Sequence, residues 1–514
     1  MERTLLTIVV LGFLLVDSPP GVAQGWYPPL PKIGLSESTI LSRLPSNSVS
    51  HIALRGSALW IGTSRGAARS TDGGRRWESF ADEPAFSRPG IFGIAIREDT
   101  VWCSTGYVQE VNGADIQTGS GYAYTLDDGV TWSRAEQPID SQADTVLQYG
   151  MNRVRFLPVV VPEQNVTFDI ALTSATVWVA SWASGLRRST DRGATWVRTV
   201  LPNASRNSIA PGDSLGEYLV DPRMDNNFLA FSVMAENDSV IWAGTAGGIN
   251  KSTDGGQSWR KFTTANQSSP ILGDWVVALA VQKRSNGARI WATNWPADGP
   301  NQRFGVSYTE DGGASWSTFL EGIRAYAFSF RDSITYVASS DGLYRTDDGG
   351  ASWIRSGSIV DPLTGATIAS TSFFSVGAID DTVFGGGVDG LVATTDSPVE
   401  PFGFSWRVMR ASQPLTAEVE AYAYPNPFSP RFDVTRIHYR LPGPSSTVDL
   451  EVFDFGMQRV RTILRDAVRA GLGEYDEIWD GRDDRGSPVP NGVYFYRVTP
   501  SGGEPVWGKI MVLQ

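Results

Sequence analysis

The chain has 514 residues, 41% of them hydrophobic and 18 of them tryptophan, a content that excludes global disorder and allows two or three domains. A net charge of -12, with no Lys/Arg-rich run, excludes a surface built to grip nucleic acid. Glycine (54) and proline (30) are abundant and helix-period runs nearly absent, so an all-β chain of short strands and turns is expected.

Residues 1–24 read as a signal peptide. Arg3 supplies the charged start, Leu5 to Val16 the apolar stretch, and Gly21-Val22-Ala23 a small-residue cleavage region. The stretch is too short to span a bilayer, no cysteine follows it to carry a lipid, and no later segment is long and apolar enough to cross. Export is therefore expected, with residues 25–47 as an N-terminal segment. The lone cysteine, Cys103, excludes intramolecular disulfides and, beside Trp102 in a predicted strand, is expected to be a buried structural thiol.

From residue 48 the chain repeats itself. The pattern Ser/Thr-x-Asp-x-Gly-x-x-Trp occurs six times, pairing Asp72 with Trp77, Asp127 with Trp132, Asp191 with Trp196, Asp254 with Trp259, Asp311 with Trp316 and Asp348 with Trp353. Its chemistry is that of a hairpin turn. The Ser/Thr and Asp oxygens accept backbone N–H groups, Gly permits a positive φ, and the Trp opens the next strand and lays its ring into the sheet. These aspartates are expected to be structural, with no metal or catalytic role. Ahead of each motif stands an aromatic in a strand (Trp60, Trp102, Trp178, Trp242, Trp291, Tyr336), and upstream of that an alternating apolar strand such as Val276 to Ala280. Three strands plus the one opened by the Trp make four, one blade of a propeller. Phe384 leads to a seventh, degenerate copy at Thr394-Thr-Asp396, its Trp delayed to Trp406.

The motif resembles the Asp-box, or bacterial neuraminidase repeat, and the resemblance implies a seven-bladed β-propeller over residues 48–410. The stretch from Leu44 to Ala53, with Trp60 to Thr63, also resembles the periplasmic sensor propellers of two-component systems. Both are resemblances of fold, shared by binding proteins and enzymes.

Spacing shows where the blades are elaborated. Trp60 to Asp72 spans 12 positions, whereas Trp102 to Asp127 spans 25 and Trp291 to Asp311 spans 20, so blades two and five carry extra residues between strands two and three. Two inter-blade connections, at about 137–165 and 201–225, are also long. By strand alternation all four are expected to crowd one rim of the central channel, opposite the repeated turns, and to bear the binding site. Tyr107, Glu110, Asn112 and Asp115 from blade two, Trp182 from blade three, and Trp295, Asp298, Asn301 and Arg303 from blade five suit a carbohydrate or a protein ligand. The alternative is that they are solvated insertions with self-packing aromatics.

Residues 411–420 read as a linker. Beyond it come Tyr424-Pro-Asn-Pro-Phe428, alternating segments at Ile437 to Leu441 and Val448 to Asp454, Trp479-Asp-Gly, and Gly492-Val-Tyr-Phe-Tyr496, the pattern of a small immunoglobulin-like β-sandwich over 421–514. This part resembles two overlapping families, the Ig-like domain of flagellar hook-capping type and the C-terminal sorting domain of type IX secretion substrates. The second implies partnership with a secretion machinery and a secreted or cell-surface location. The turn from Asp480 to Gly486 matches the hook-capping variant. Its aspartates lack the spacing of a calcium loop and alternate with Arg482 and Arg485, so a solvated turn is expected.

A binding role is thus expected, with no cofactor; the competing class is a glycoside hydrolase. A sialidase would bear an Arg-Ile-Pro segment, which does not occur. Two carboxylates need only meet in space, however, and Glu110 or Asp115 with Asp298 is the pair to inspect. His51 and His438 have no third histidine to complete a metal cluster.

Overall fold

The computed structural model describes residues 39–513 apart from 42–43, 87, 89, 112–113, 286, 365, 369, 412–419, 425, 431–433, 442–444 and 471–473. The signal-peptide reading, Asn112 and most of the 411–420 linker lie outside the described residues. Among those described, the only helical turns are two short 3-10 segments, Pro84–Phe86 and Asn226–Phe228, and everything else regular is strand. Two compact units result, residues 36–359 with 369–409, and residues 410–514 with 360–368.

The first unit holds seven antiparallel sheets in meander order: residues 49–79, 90–135, 167–198, 230–262, 279–319, 325–355 and 373–409, blades one to seven. Innermost strands of successive blades pack side by side, and that of blade seven (Phe373–Ile379) returns against that of blade one (Val49–Arg55), closing the ring. The second-strand aromatics Trp60, Trp102, Trp178, Trp242, Trp291, Tyr336 and Phe384 are all buried, as alternation requires. Cys103 is buried too, and desolvation pushes its thiol up, out of the reactive range.

The six repeated turns share one hydrogen-bond set. In blade one Ser70 Oγ donates to Asp72 Oδ1 (2.9 Å) and accepts from Gly74 N (2.8 Å), while the amides of Arg75 and Arg76 donate to Asp72 Oδ1 at 3.0 and 2.9 Å. Ser189 and Thr195 serve Asp191 likewise, and the Thr195 hydroxyl and amide with the Ser189 hydroxyl hold that carboxyl at about 2. The second Gly lies at φ 82° in blade one and 97° in blade five, a left-handed region. It is also close-packed. A Cβ on Gly129 would stand 2.9 Å from Phe80, and one on Gly313 2.6 Å from Phe262, each ring belonging to the preceding blade.

The turn is therefore a clasp between blades. Its Trp lays its ring into the sheet packing, as expected from the sequence, and in four of the six turns the ring it meets edge-on is the second-strand Trp of the blade before. Trp132 meets Trp60 at 6.3 Å and 67°, Trp259 meets Trp178 at 6.1 Å and 77°, and Trp316 meets Trp242 at 6.3 Å and 88°. The residue just before the Ser/Thr completes the clasp. Arg69 Nη1 donates to Asp128 O (2.6 Å), Arg188 Nη1 to Gly255 O (2.7 Å) and Lys251 Nζ to Gly312 O (3.1 Å), each cation also lying over its own blade's Trp. Blade seven solves the joint differently. Thr394 Oγ1 accepts from Gly403 N (3.2 Å) across the insertion, Asp396 turns away to accept from Arg345 Nε (2.7 Å) and Tyr336 Oη, and Phe402 replaces the Trp against Tyr336.

The long connections depart from expectation. Only their ends follow the rim; their middles pair into a side sheet of Val146–Tyr149, Asn152–Phe156 and Leu219–Val220, and Ser208–Ile209 adds to the outer strand of blade four. Val154, Phe156, Leu215, Tyr218 and Val220 share one buried cluster with Trp178 and Trp259, so apolar burial draws these segments outward over blades three and four.

The second unit is a sandwich. Strands Ala421–Tyr424, Thr435–Arg440 and Glu474–Trp479 form one sheet, and Arg459–Ala470, Ser445–Phe453, Gly492–Pro500 and Val506–Val512 the other. Ile437, Tyr439, Val448, Leu450, Trp479, Tyr494, Tyr496 and Ile510 fill its core. In the turn at 480–486 the Asp483 carboxylate accepts the amides of Arg485 (2.9 Å) and Ser487 (2.8 Å), and Asp484 that of Thr462 (3.0 Å), the bonding of a turn. His438 Nδ1 lies 3.0 Å from Asp476 Oδ1, which also accepts from Tyr424 Oη (2.8 Å).

Candidate functional site

The face opposite the repeated turns carries the elaborations of blades two and five. In blade two the extra residues form a strand extension instead of a loop. Thr100–Val111 and Ala114–Thr125 pair as one long hairpin. Glu110 and Asp115, both exposed, are cross-strand partners near its tip. Half-buried Tyr107 lies under the Arg88 guanidinium, 4.5 Å from the ring centroid. Gln109 Nε2 bonds Glu163 Oε1 (2.9 Å), which joins the hairpin to the end of the 137–165 connection.

Aromatic rings form a collar at the mouth of the channel on this face. Each inner strand of blades one to four, six and seven begins with a bulge, and in five of these six the bulged residue is aromatic: Phe92, Phe168, Phe231, Tyr326 and Phe374. Phe168 stacks on Phe231 at 5.4 Å, Phe231 meets Trp275 at 5.1 Å, and Trp275 meets Trp295 at 5.4 Å. Trp295 continues to Tyr326 at 5.7 Å, and Tyr326 to Phe374 at 5.6 Å. The collar is interrupted at blade one, where the bulge is Ser50, its hydroxyl bonded to Ile91 O at 2.8 Å. Apart from Trp295, these rings went unread in the sequence as a site, although a signal existed: Phe92, Phe168, Tyr326 and Phe374 each stand ten residues before the second-strand aromatic of their blade.

The collar sorts the aromatics expected at the site. Trp295 is 3% exposed and donates Nε1 to Ala325 O (2.9 Å), so it is wall, not platform. Trp182 is half-buried against Phe168 and Phe231, with part of its ring left to a ligand. The polar residues of blade five are exposed. Asp298 accepts from Asn226 Nδ2 (2.8 Å), Asn301 is exposed, and Arg303 pairs with Glu321. Gln302 pins this loop by donating Nε2 to Asp274 (2.7 Å) and accepting the Ala297 amide (2.7 Å). Burial raises the Asp274 carboxyl above its ordinary value, against the opposing pull of Thr264 and Gln302. The three carboxylates of interest thus fall into two places. Glu110 and Asp115 share the blade-two hairpin, and Asp298 stands on blade five with two blades between. This face offers stacking at Trp182 and Tyr326 and exposed donors and acceptors around them, the chemistry of a recognition surface.

A family model for the FlgD Ig-like domain matches residues 431–504, so the chain ends in such a domain. Over 136 residues the chain is 32% identical to the xyloglucanase Xgh74A of Acetivibrio thermocellus, which is 26% of this chain and 14% of that enzyme. A xyloglucanase of a Paenibacillus species is 33% identical over 143 residues, 25% of this chain and 13% of the enzyme, so the chain matches only a small part of the length of either relative. Among solved structures it is similar to PorZ, an essential bacterial surface component of the type-IX secretion system of Porphyromonas gingivalis, with TM-score 0.39, 14% identity, and coverage of 92% of this chain and 66% of that one. YCF48 from Cyanidioschyzon merolae gives TM-score 0.38, 17% identity, and coverage of 68% and 92%. Both TM-scores lie below 0.5, so the fold rests on the closed ring of seven sheets itself. The protein is a seven-bladed β-propeller with an FlgD Ig-like domain. Among the described residues no helix is long and apolar enough to cross a membrane.

Proposed function

We propose that the chain is an exported, extracellular or cell-surface binding module whose collar face holds a carbohydrate or protein ligand, with Trp182, Asp298, Asn301 and Arg303 as contacts. The observation that carries this reading is the concentration of exposed polar side chains around a collar rigidly packed by ring-to-ring contacts. The repeated turns belong, on this view, to the Asp-box class. The sandwich from residue 421 onward handles export or attachment through a secretion machinery, the role its sorting-domain resemblance implies.

Screening residues 25–514 against immobilised glycans tests the ligand claim. Binding without turnover, weakened at least tenfold by Arg303→Ala with Trp182→Ala, is the expected result; silence on all glycans directs the search to protein ligands. Deleting residues 421–514 tests the export claim, and unchanged surface delivery would defeat it.

A second reading is favoured by the 32% identity to a xyloglucanase. It makes the chain a glycoside hydrolase in which Glu110 or Asp115 would have to act with Asp298 across the two blades that separate them. Turnover of xyloglucan oligosaccharides, abolished by Glu110→Gln or Asp298→Asn, would replace the binding reading.

A further inference from the structure

Away from the collar, a groove of about 520 Å³ opens on the outer wall between the side sheet and blade three. It falls within the range of about 300–1,000 Å³ typical of ligand sites. One wall is Val146–Tyr149, the end strand of the side sheet, and the other is Val197–Arg198, the end strand of blade three. Two strand edges therefore face one cavity. The amide of Phe156 bonds to Thr145 O, and ladder alternation from that pair turns the backbone amide and carbonyl of Gln148 toward the groove. On the other wall, Thr199 N bonds to Leu186 O, which turns the backbone of Arg198 outward in the same manner. Open edges of this kind are templates for an added strand. Val146 and Val197, 41% and 57% exposed, flank them with apolar surface.

The floor is charged. Arg187 and Arg198, whose side chains are 4% and 6% exposed, both aim Nη2 at one carboxylate, Asp140, at 2.7 and 2.6 Å. Arg198 also donates Nη1 to Ser184 O (3.0 Å) and lies over the Phe156 ring, while both Nε atoms are buried without an acceptor. Two guanidinium groups share one buried carboxylate, so a positive charge is left uncompensated at the base of the groove. At its border Asp144 and Arg188 are of opposite sign and leave that excess unchanged. Tyr149 Oη bonds Gln257 O (2.7 Å) and ties the side sheet to the repeated turn of blade four.

We propose that this groove receives an extended segment of a partner protein, added as a β-strand between the two edges, with an Asp or Glu side chain lying above Arg187 and Arg198. The facing edges favour a peptide over an acidic sugar. The outward amide and carbonyl of Gln148 on one wall and of Arg198 on the other match a backbone, whereas a sugar acid would use the arginines and leave these groups unmet. The site is separate from the collar and does not depend on the collar reading.

The test uses the whole chain, residues 25–514, and a synthetic library of blocked hexapeptides in which Val alternates with Asp, Glu, Asn or Gln. Members bearing Asp or Glu should bind, and their amide counterparts at least tenfold more weakly. Arg187→Met should weaken binding at least tenfold while keeping the neutral Arg198–Asp140 pair. Gln148→Pro removes the outward amide of an edge strand, which proline tolerates, along with the exposed Nε2 bond to Gly150 O (2.6 Å); it should weaken binding similarly with a nearly unchanged melting curve, while Gln148→Ala, which loses the side-chain bond alone, should bind as the parent does. Arg303→Ala with Trp182→Ala, on the collar, should leave peptide binding intact. The proposal is overturned if no library member binds, if acid and amide members bind alike, or if Gln148→Pro binds as the parent does. Oligogalacturonate displacing nothing is expected; its binding in place of every peptide, lost in Arg187→Met, would overturn the peptide reading in favour of a sugar acid.

Discussion

The two faces of the propeller are built on opposite plans. On one, six nearly identical turns each use the same Ser/Thr, Asp, Gly and Trp to clasp the blade before, and variation is confined to blade seven. On the other, a bulged aromatic recurs in five blades, but what is built around it differs: a hairpin from blade two, a pinned loop from blade five, a serine in place of the ring at blade one, and connections that leave to cover blades three and four. The difference shows where a repeat is constrained. A joint that must be made at every blade tolerates one solution repeated, while a surface that closes the channel only has to be filled, and unlike pieces can fill it.

The comparison is sharpened most by removing a ring from each face. Trp259 is 2% exposed and stands against Trp178 across the joint between blades three and four. Trp259→Ala is expected to cost about 3–5 kcal/mol in chemical denaturation. Trp182→Ala, on a ring already half in solvent, should cost less than half as much and act chiefly on ligand binding. Equal losses would mean that the collar is as much a joint as the clasp. The cation of the clasp comes next. Arg188→Met removes the bond to Gly255 O and is expected to cost about 2 kcal/mol, within the range for hydrogen bonds to charged groups, with no effect on collar ligands.

The clasped face was legible in the sequence because its chemistry is local: Ser189, Asp191, Gly193 and Trp196 lie within eight residues and satisfy one another's backbone. What escaped was the partner. Nothing between Asp254 and Trp259 announces that the ring will meet Trp178, about eighty positions upstream, or that Arg188 will reach Gly255. The collar face was legible as a location but not as a surface. Trp295 reads like an exposed loop aromatic, and only the closing of the ring puts Trp275, Phe304 and Tyr326 around it. The 137–165 and 201–225 connections were visible as length, but their pairing with each other, at Arg155–Leu219 and Phe156–Val220, joins residues more than sixty apart.

Between the two faces the channel wall holds two titrating groups of opposite effect. His51, on the inner strand of blade one, is lowered from 6.5 to about 4 by burial. It stays neutral in the fold and gains a proton only on unfolding, so its contribution is whole above about pH 6.5 and is lost as pH falls toward 4. Asp169, on the inner strand of blade three, is raised from 3.8 to about 7, burial outweighing the amides of Val233 (2.9 Å) and Ile170 (2.8 Å) that it accepts. It is protonated in the fold and ionised when unfolded, so stability is lost as pH rises from about 4 to 7. From pH 7 to pH 5 the two changes are each about 2 kcal/mol and opposed. The parent protein should therefore hide both. His51→Asn should become more stable on that descent and Asp169→Asn less stable, as read from denaturant midpoints at the two pH values. Two flat profiles would show that water in the channel solvates both groups.

The smallest effect tests whether the repeated turns are only joints. Asp254 accepts the amides of Gln257 (3.0 Å) and Ser258 (2.9 Å) and the hydroxyl of Ser252 (2.8 Å). Although burial works upward on its carboxyl, the bonds from Ser258 lead those that hold it below the ordinary range. Asp254→Ala forfeits these bonds, but both amides lie in an exposed turn where water replaces the carboxylate, so the cost should be about 1 kcal/mol. Asp254→Asn keeps an acceptor at the same place and should recover most of it. Ligand binding on the collar should be unchanged in both, because the turn and the collar sit at opposite ends of the channel. A loss of binding in the Asn variant, with stability retained, would mean that the clasped face is itself a recognition surface, and the division between the two faces would fail.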